Sequence, residues 1–152
     1  MSTVALPPFW SLVETHGDEL LAHARRMTDD QSAEDVLQDA LLRALRAYPR
    51  LRHSDHLRAW LYRVTTTTAI DHHRRARREV VTDEPPVVAT YDTHDDFEGL
   101  IAPLNETAQA ALRLRFVDDL DYDGIAERLG CSSAAARQRV STAVRTLRES
   151  YA

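Results

Sequence analysis

The sequence predicts an all-α protein made of two small helical domains, residues 1–78 and 100–152, joined by a flexible acidic linker at 79–99. Three observations carry that reading. Apolar residues recur at three- and four-residue spacing through most of both segments, the signature of helices with one buried face. The intervening stretch EVVTDEPPVVATYDTHDDFEG combines prolines and acids with no convincing period, as a linker between domains does. Finally, YDGIAERLGCSSAAARQRVSTAVRTLR (122–148) has the turn chemistry of a helix-turn-helix, a unit that places its second helix in a DNA major groove.

Composition narrows the function. With 152 residues, 43% of them apolar, the chain suits one ordinary domain or two small ones. The net charge of −5 argues against nucleic acid only until it is divided along the chain. Residues 1–46 carry −4, residues 47–78 carry +6, residues 79–99 carry −7 and residues 100–152 are neutral. A basic block thus sits directly before an acidic one. All 19 basic residues are arginine, whose forked donors suit phosphate. Cys131 is the only cysteine, which excludes an intrachain disulfide and a cysteine-cluster zinc site. His53, His56, His72 and His73 lack metal-ligand spacing and lie in basic surroundings, so neither a metal, a cofactor nor catalysis by this chain is expected. The start MSTVALPPFW does not read as a signal peptide, and no apolar run spans a membrane. The expectation is a soluble, cytoplasmic chain without membrane insertion.

Taken in order, the first helix is predicted from about Pro8 to Met27, burying Phe9, Trp10, Val13, Leu20, Leu21, Ala24 and Met27. Ser32 is a candidate cap for the second, with Asp35 completing an approximate capping box. Its inward stripe is Val36, Leu37, Ala40, Leu41, Ala44, Leu45 and Tyr48, ending at Pro49; Glu34, Asp35, Gln38, Asp39, Leu42, Arg43 and Arg46 face outward. Ser54 or Asp55 can cap a third helix reaching Arg78, with Leu57, Trp60, Leu61, Val64 and Thr68 inward. Thr65–Thr68 are four consecutive β-branched residues, so tertiary packing must hold that turn. Six arginines between Arg58 and Arg78, interspersed with Trp60 and Tyr62, suit a nucleic-acid surface. Leu100, Leu104, Ala108, Ala111, Leu112, Leu114 and Phe116 supply a helix or two that close the second core. In the helix-turn-helix, Ile125, Ala126 and Leu129 precede the left-handed stop Gly130, and Ser132 or Ser133 caps the last helix. Its inward Ala136, Val140, Ala143, Val144 and Leu147 turn Ser133, Arg137, Gln138, Ser141 and Arg145 to solvent, where arginine and glutamine suit base edges and phosphates.

Three long stretches resemble the extracytoplasmic-function (ECF) RNA polymerase sigma factors, the compact type with only domains two and four. AEDVLQDALLRALR (33–46) is similar to the family helix A-E-D-L-V-Q-E-(T/A)-F-L-R-A-W-R, and LRAWLYRVTTTTAIDHHRRARR (57–78) resembles F-R-A-W-L-Y-R-I-A-R-N-x-A-I-D-x-x-R-R-x-R-R. Residues 104–149 follow the family's domain-four pattern without a gap; Thr67 stands where the family has asparagine, Asn105 where it has proline, and Ala134-Ala135 where it has Gly-Thr. The resemblance implies a non-enzymatic initiation factor. Its partners would be core polymerase, through the β′ clamp coiled coil and the β flap, and promoter DNA. Anti-sigma factors regulate the family, so one joins the candidate partners. Polymerase docking is implied for Asp35, Gln38, Asp39, Leu42 and Arg43. Recognition and opening of the minus-ten element are implied for Arg50, Arg52, Arg58, Trp60, Arg63, Thr67, Arg74, Arg75 and Arg78. Reading of the minus-thirty-five element falls to Ser133, Arg137, Gln138, Ser141 and Arg145, and the acidic linker would thread near the RNA exit path. The competing reading is a stand-alone helix-turn-helix regulator with an N-terminal dimerisation or sensory domain, for which the basic third helix has no evident use.

Overall fold

The computed structural model describes residues 6–51, 55–79 and 95–151 and, among them, contains helices and no strand. The first unit consists of α1 (Phe9–Met27), α2 (Asp30–Ala47) and α3 (Leu57–Glu79), each packed on the other two. The second consists of α4 (Asp95–Ile101), α5 (Glu106–Phe116), α6 (Tyr122–Leu129) and α7 (Ser133–Tyr151). The helix α4 begins inside the interval expected as linker, because Phe97, Leu100 and Ile101 are core residues and pull that segment onto the second unit. The rest of the expected linker, 80–94, lies outside the described residues.

Close packing of the first unit comes from small side chains. α2 buries Ala33, Val36, Ala40 and Ala44, a stripe that continues to Tyr48 in a short 3₁₀ turn containing Pro49. Leu45 lies one position off this stripe and is exposed, contrary to the inward place expected of it. Trp10, also expected inward, is 65% exposed. Its neighbour Phe9 takes the inward position instead, 5.3 Å from the Tyr48 ring, and consecutive residues point about 100° apart on a helix. The cap of α2 is Asp29, whose carboxylate accepts the Ser32 N–H at 2.8 Å, rather than Ser32 itself. At the start of α3, Ser54 lies outside the described residues, and Asp55 and His56 form a turn in which His56 adopts a positive φ of 60°.

The threonine tract is accommodated in a specific way. Each of Thr65, Thr66, Thr67 and Thr68 donates its hydroxyl to the carbonyl four residues earlier, at 2.7–2.9 Å, so buried hydroxyls are satisfied inside the helix. Residues 59–70 are buried on every face. That follows from the packing: α1 and α2 cover one side of α3, while α4, α5 and α7 of the second unit lie against another. The two units therefore share one continuous apolar cluster.

In the second unit, Asn105 caps α5 by accepting the Ala108 N–H at 2.8 Å, giving the residue in the family's proline position a capping role. Asp121 caps α6 through the Gly124 N–H, and Ser132 caps α7 through the Ala135 N–H. Gly130 ends α6 at φ 68°, with its own N–H bonded to the Ala126 carbonyl. A side chain at Gly130 would meet nothing within 4 Å, so Gly130→Ala carries only the backbone penalty of the left-handed region. We expect it to lower the free energy of unfolding by about 1–2 kcal/mol in urea denaturation.

Candidate nucleic-acid interface

The clearest surface lies on α7. Ser133, Arg137, Ser141 and Arg145 recur every fourth residue and line one ridge, with Gln138 beside it. Arg137, Gln138, Ser141 and Arg145 are exposed and Ser133 is half-buried, while Ala136, Val140, Ala143, Val144 and Leu147 seal the opposite face. Two contacts hold the leading residues. The Arg137 guanidinium lies 4.9 Å from the Tyr122 ring centroid, whose other neighbour is Arg115 at 4.6 Å. The Ser133 hydroxyl donates to the Asp123 carboxylate. A shallow groove lined by Tyr122, Asp123, Ser133, Arg137 and Gln138 results.

A second surface lies on α2. Asp35, Gln38 and Leu42 are exposed, Leu42 at 50%. Asp39 and Arg43 are partly inward: Arg43 bridges Asp39 at 3.2 Å and Asp71 of α3 at 2.8 Å, and Asp39 also meets His72 at 3.3 Å. This network ties α2 to α3, so the five residues expected on one face divide into an exposed part and a structural part.

The residues implied for minus-ten recognition are not gathered on one open face. Arg50 and Arg74 are exposed and Arg75 is half-buried; Arg52 and the side chain of Arg78 lie outside the described residues. Trp60, Arg63 and Thr67 are buried. Trp60 packs 6.2 Å from Tyr48, and Thr67 bonds the Arg63 carbonyl. Burial pushes the Arg63 guanidinium below the usual arginine pKa, and its Nε has no hydrogen-bond partner among the described residues. Arg58 is held by Glu19 of α1 and by Asp119 of the α5–α6 turn at 3.1 Å. Burial acts against its charge, yet Glu19, Tyr62 and Asp119 together keep its pKa above the usual value.

Three residues that the sequence did not mark as site residues, His23, Phe116 and Asp119, meet around Arg58 and Tyr62. The His23 ring lies 5.0 Å from Tyr62 and 5.2 Å from Phe116, and Phe116 stacks on Tyr62 at 5.1 Å; Asp119 completes the group. The Thr66 hydroxyl spends its only hydrogen on the Tyr62 carbonyl, so the contact at 2.8 Å with His23 Nε2 makes that nitrogen the donor. Burial, with smaller repulsions from Arg26 and Arg115, lowers the His23 pKa to about 3 and keeps the ring neutral. Nothing local announces this cluster, since Asp119 lies 61 positions from Arg58.

Comparison with known proteins agrees with the architecture. Residues 12–79 match the Sigma-70 region 2 family and residues 94–147 match Sigma-70, region 4, which together cover most of the chain. Over 59 residues, 38% of this chain, it is 44% identical to the ECF RNA polymerase sigma factor SigG of Mycobacterium tuberculosis, in both the CDC 1551 / Oshkosh and H37Rv strains. That stretch spans 16% of the length of those relatives. Among solved structures, the sigma factor RpoE of Bartonella quintana, in complex with the anti-sigma factor NepR, aligns at 24% identity and a TM-score of 0.49, covering 93% of this chain and 94% of that one. With both regions matched in order on the helices that carry the exposed α2 and α7 surfaces, the chain belongs to the sigma-70 family.

Proposed function

We propose that this chain binds core RNA polymerase and directs it to promoters, making and breaking no bond itself. The observation that carries the reading is the exposed ridge Ser133–Arg137–Ser141–Arg145 on the second helix of a helix-turn-helix, in a chain that also holds region 2. In the proposed division of labour, that ridge with Gln138 reads the upstream element in the major groove. Asp35, Gln38 and Leu42 meet polymerase, with Asp39 and Arg43 shaping the same face. Arg50, Arg58, Arg74 and Arg75 follow the backbone of the opened minus-ten strand, together with Arg52 and Arg78. Trp60, Arg63 and Thr67 are assigned to the same element, although the free fold buries them. No described helix is long and apolar enough to cross a membrane.

In vitro transcription with core polymerase and a genomic fragment library tests the proposal directly. Start sites that depend on adding the chain support it; none, or tight promoter binding that ignores polymerase, would favour the stand-alone regulator. Within that assay, Arg137→Ala is expected to lower use of promoters with an upstream element by roughly 10- to 100-fold, the worth of one good bidentate base contact. Core binding should be unchanged, and its loss would contradict the division of labour.

A further inference from the structure

The face formed by Arg58 and Tyr62 of α3 is already occupied. From the second unit, Phe116 stacks on the Tyr62 ring with 17° between the planes, and three residues later the Asp119 carboxylate accepts from the Arg58 guanidinium at 3.1 Å. Asp119 also approaches His56 at 4.0 Å. The turn that presents this pair is well braced. The Leu120 N–H bonds the Leu114 carbonyl and Arg115 donates to the Leu120 carbonyl, each at 3.0 Å. Asp119 takes φ 56°, a conformation that aspartate and asparagine tolerate better than most residues. An aromatic face and an anion, held at fixed spacing, are the two features that a nucleotide in an opened strand offers: a planar base to stack and a phosphate to pair. Glu19 contacts Arg58 from within the first unit, so Arg58 keeps one of its restraints when the turn leaves.

We propose that Tyr62 and Arg58 form a subsite for one nucleotide of single-stranded DNA, and that the α5–α6 turn fills it in the free chain as an internal nucleotide mimic, Phe116 for the base and Asp119 for the phosphate. The proposal rests on the promoter-opening reading above. Turn and strand compete for the same two side chains, so the free chain covers its own strand-binding helix and whatever separates the two units uncovers it. By linkage, strand binding must in turn favour separation.

The test uses the full chain and a short fluorescein-labelled single-stranded oligodeoxynucleotide, with binding read by anisotropy and compactness by small-angle X-ray scattering. Asp119→Asn keeps the turn's backbone preference and removes only the charge. Asp118→Asn, at an exposed neighbour, removes the same charge without touching Arg58 and controls for bulk electrostatics. Asp119→Asn should bind the oligonucleotide about three- to tenfold tighter than the parent and scatter as a more extended particle, as expected when a competing closed state is depopulated. Asp118→Asn should do neither. Phe116→Leu, checked for helical content by circular dichroism, should act in the same direction as Asp119→Asn. Equal gains in both aspartate variants, or expansion of Asp119→Asn without tighter strand binding, would overturn the shared subsite. So would no change in any variant. Transcription with core polymerase, measured in parallel on the unmodified chain, separates the two readings: its absence removes the promoter function, whereas the competition is judged by the oligonucleotide alone.

Discussion

Leu42→Asp is expected to weaken binding to core polymerase by at least about tenfold while leaving the melting temperature of the free chain nearly unchanged. Leu42 is half exposed on α2, so the free fold loses little by its replacement. A leucine at the centre of a protein contact behaves differently. There, the variant would bury an unpaired carboxylate against the partner, and losses at such central positions commonly exceed about 2 kcal/mol. Arg43 is the instructive contrast. It is pinned between Asp39 and Asp71, so Arg43→Ala would disturb the α2–α3 junction along with any partner contact. A pull-down or anisotropy titration with core polymerase, run beside a thermal melt, distinguishes the two. Unchanged core affinity for Leu42→Asp would remove this α2 face from the docking surface.

The second large effect is acid sensitivity centred on His23. Its folded pKa is depressed to about 3 from 6.5, so between those values the unfolded chain binds a proton that the folded chain refuses. The stability this neutral ring contributes is therefore complete above pH 6.5 and is lost as pH falls below it, at about 1.4 kcal/mol per pH unit. By pH 5 the expected loss is about 2 kcal/mol. The groups facing the ring sharpen the effect: Arg26 on α1 and Arg115 on α5 are both cationic, and Tyr62 and Thr66 on α3 offer no anion. The carboxylates with lowered pKa values, Asp29 and Glu98, act only at more acidic pH and leave this window to histidine. Urea denaturation at pH 6.5 and pH 5 would reveal the slope, and His23→Gln, which can still donate to Thr66, should flatten it. A parent protein equally stable at both values would refute the assignment. Because His23 touches Phe116 and Tyr62, the same protonation should also loosen the contact between the two units.

Much of the fold was legible because helices announce themselves by period. α1 from Phe9 to Met27, the break at Pro49, the left-handed stop at Gly130 and the outward row from Ser133 to Arg145 all follow from local spacing and turn chemistry. The misplacements have local causes as well. Asp29 and Ser32 are both good capping residues three positions apart, and only the folded turn selects between them. Trp10 and Leu45 are apolar, but each sits beside the residue that takes the inward position. The start of α4 was hidden by the acids Asp95, Asp96 and Glu98, which made the segment look like linker although Phe97 among them is a core residue.

The candidate site was legible in unequal parts for a deeper reason. A period states that one helix face is turned away from the nearest core; it is silent on whether a second body covers that face. On α7 the ridge from Arg137 to Arg145 is exposed among the described residues, with Tyr122 and Asp123 of α6 touching its start, and its outward direction was legible in the sequence. On α3, the threonines, Tyr62 and the arginines are polar enough to read in part as an open surface, yet residues 59–70 are buried, with α4, α5 and α7 packed against that helix as well as α1 and α2. Sequence alone determined the helices, the helix-turn-helix and the basic character of α3. The burial of Arg63 and Thr67, the neutral His23 and the pairing of Phe116–Asp119 with Tyr62–Arg58 were decided only when residues far apart in the chain packed together, because stacking and ion pairing depend on distances that no local pattern encodes.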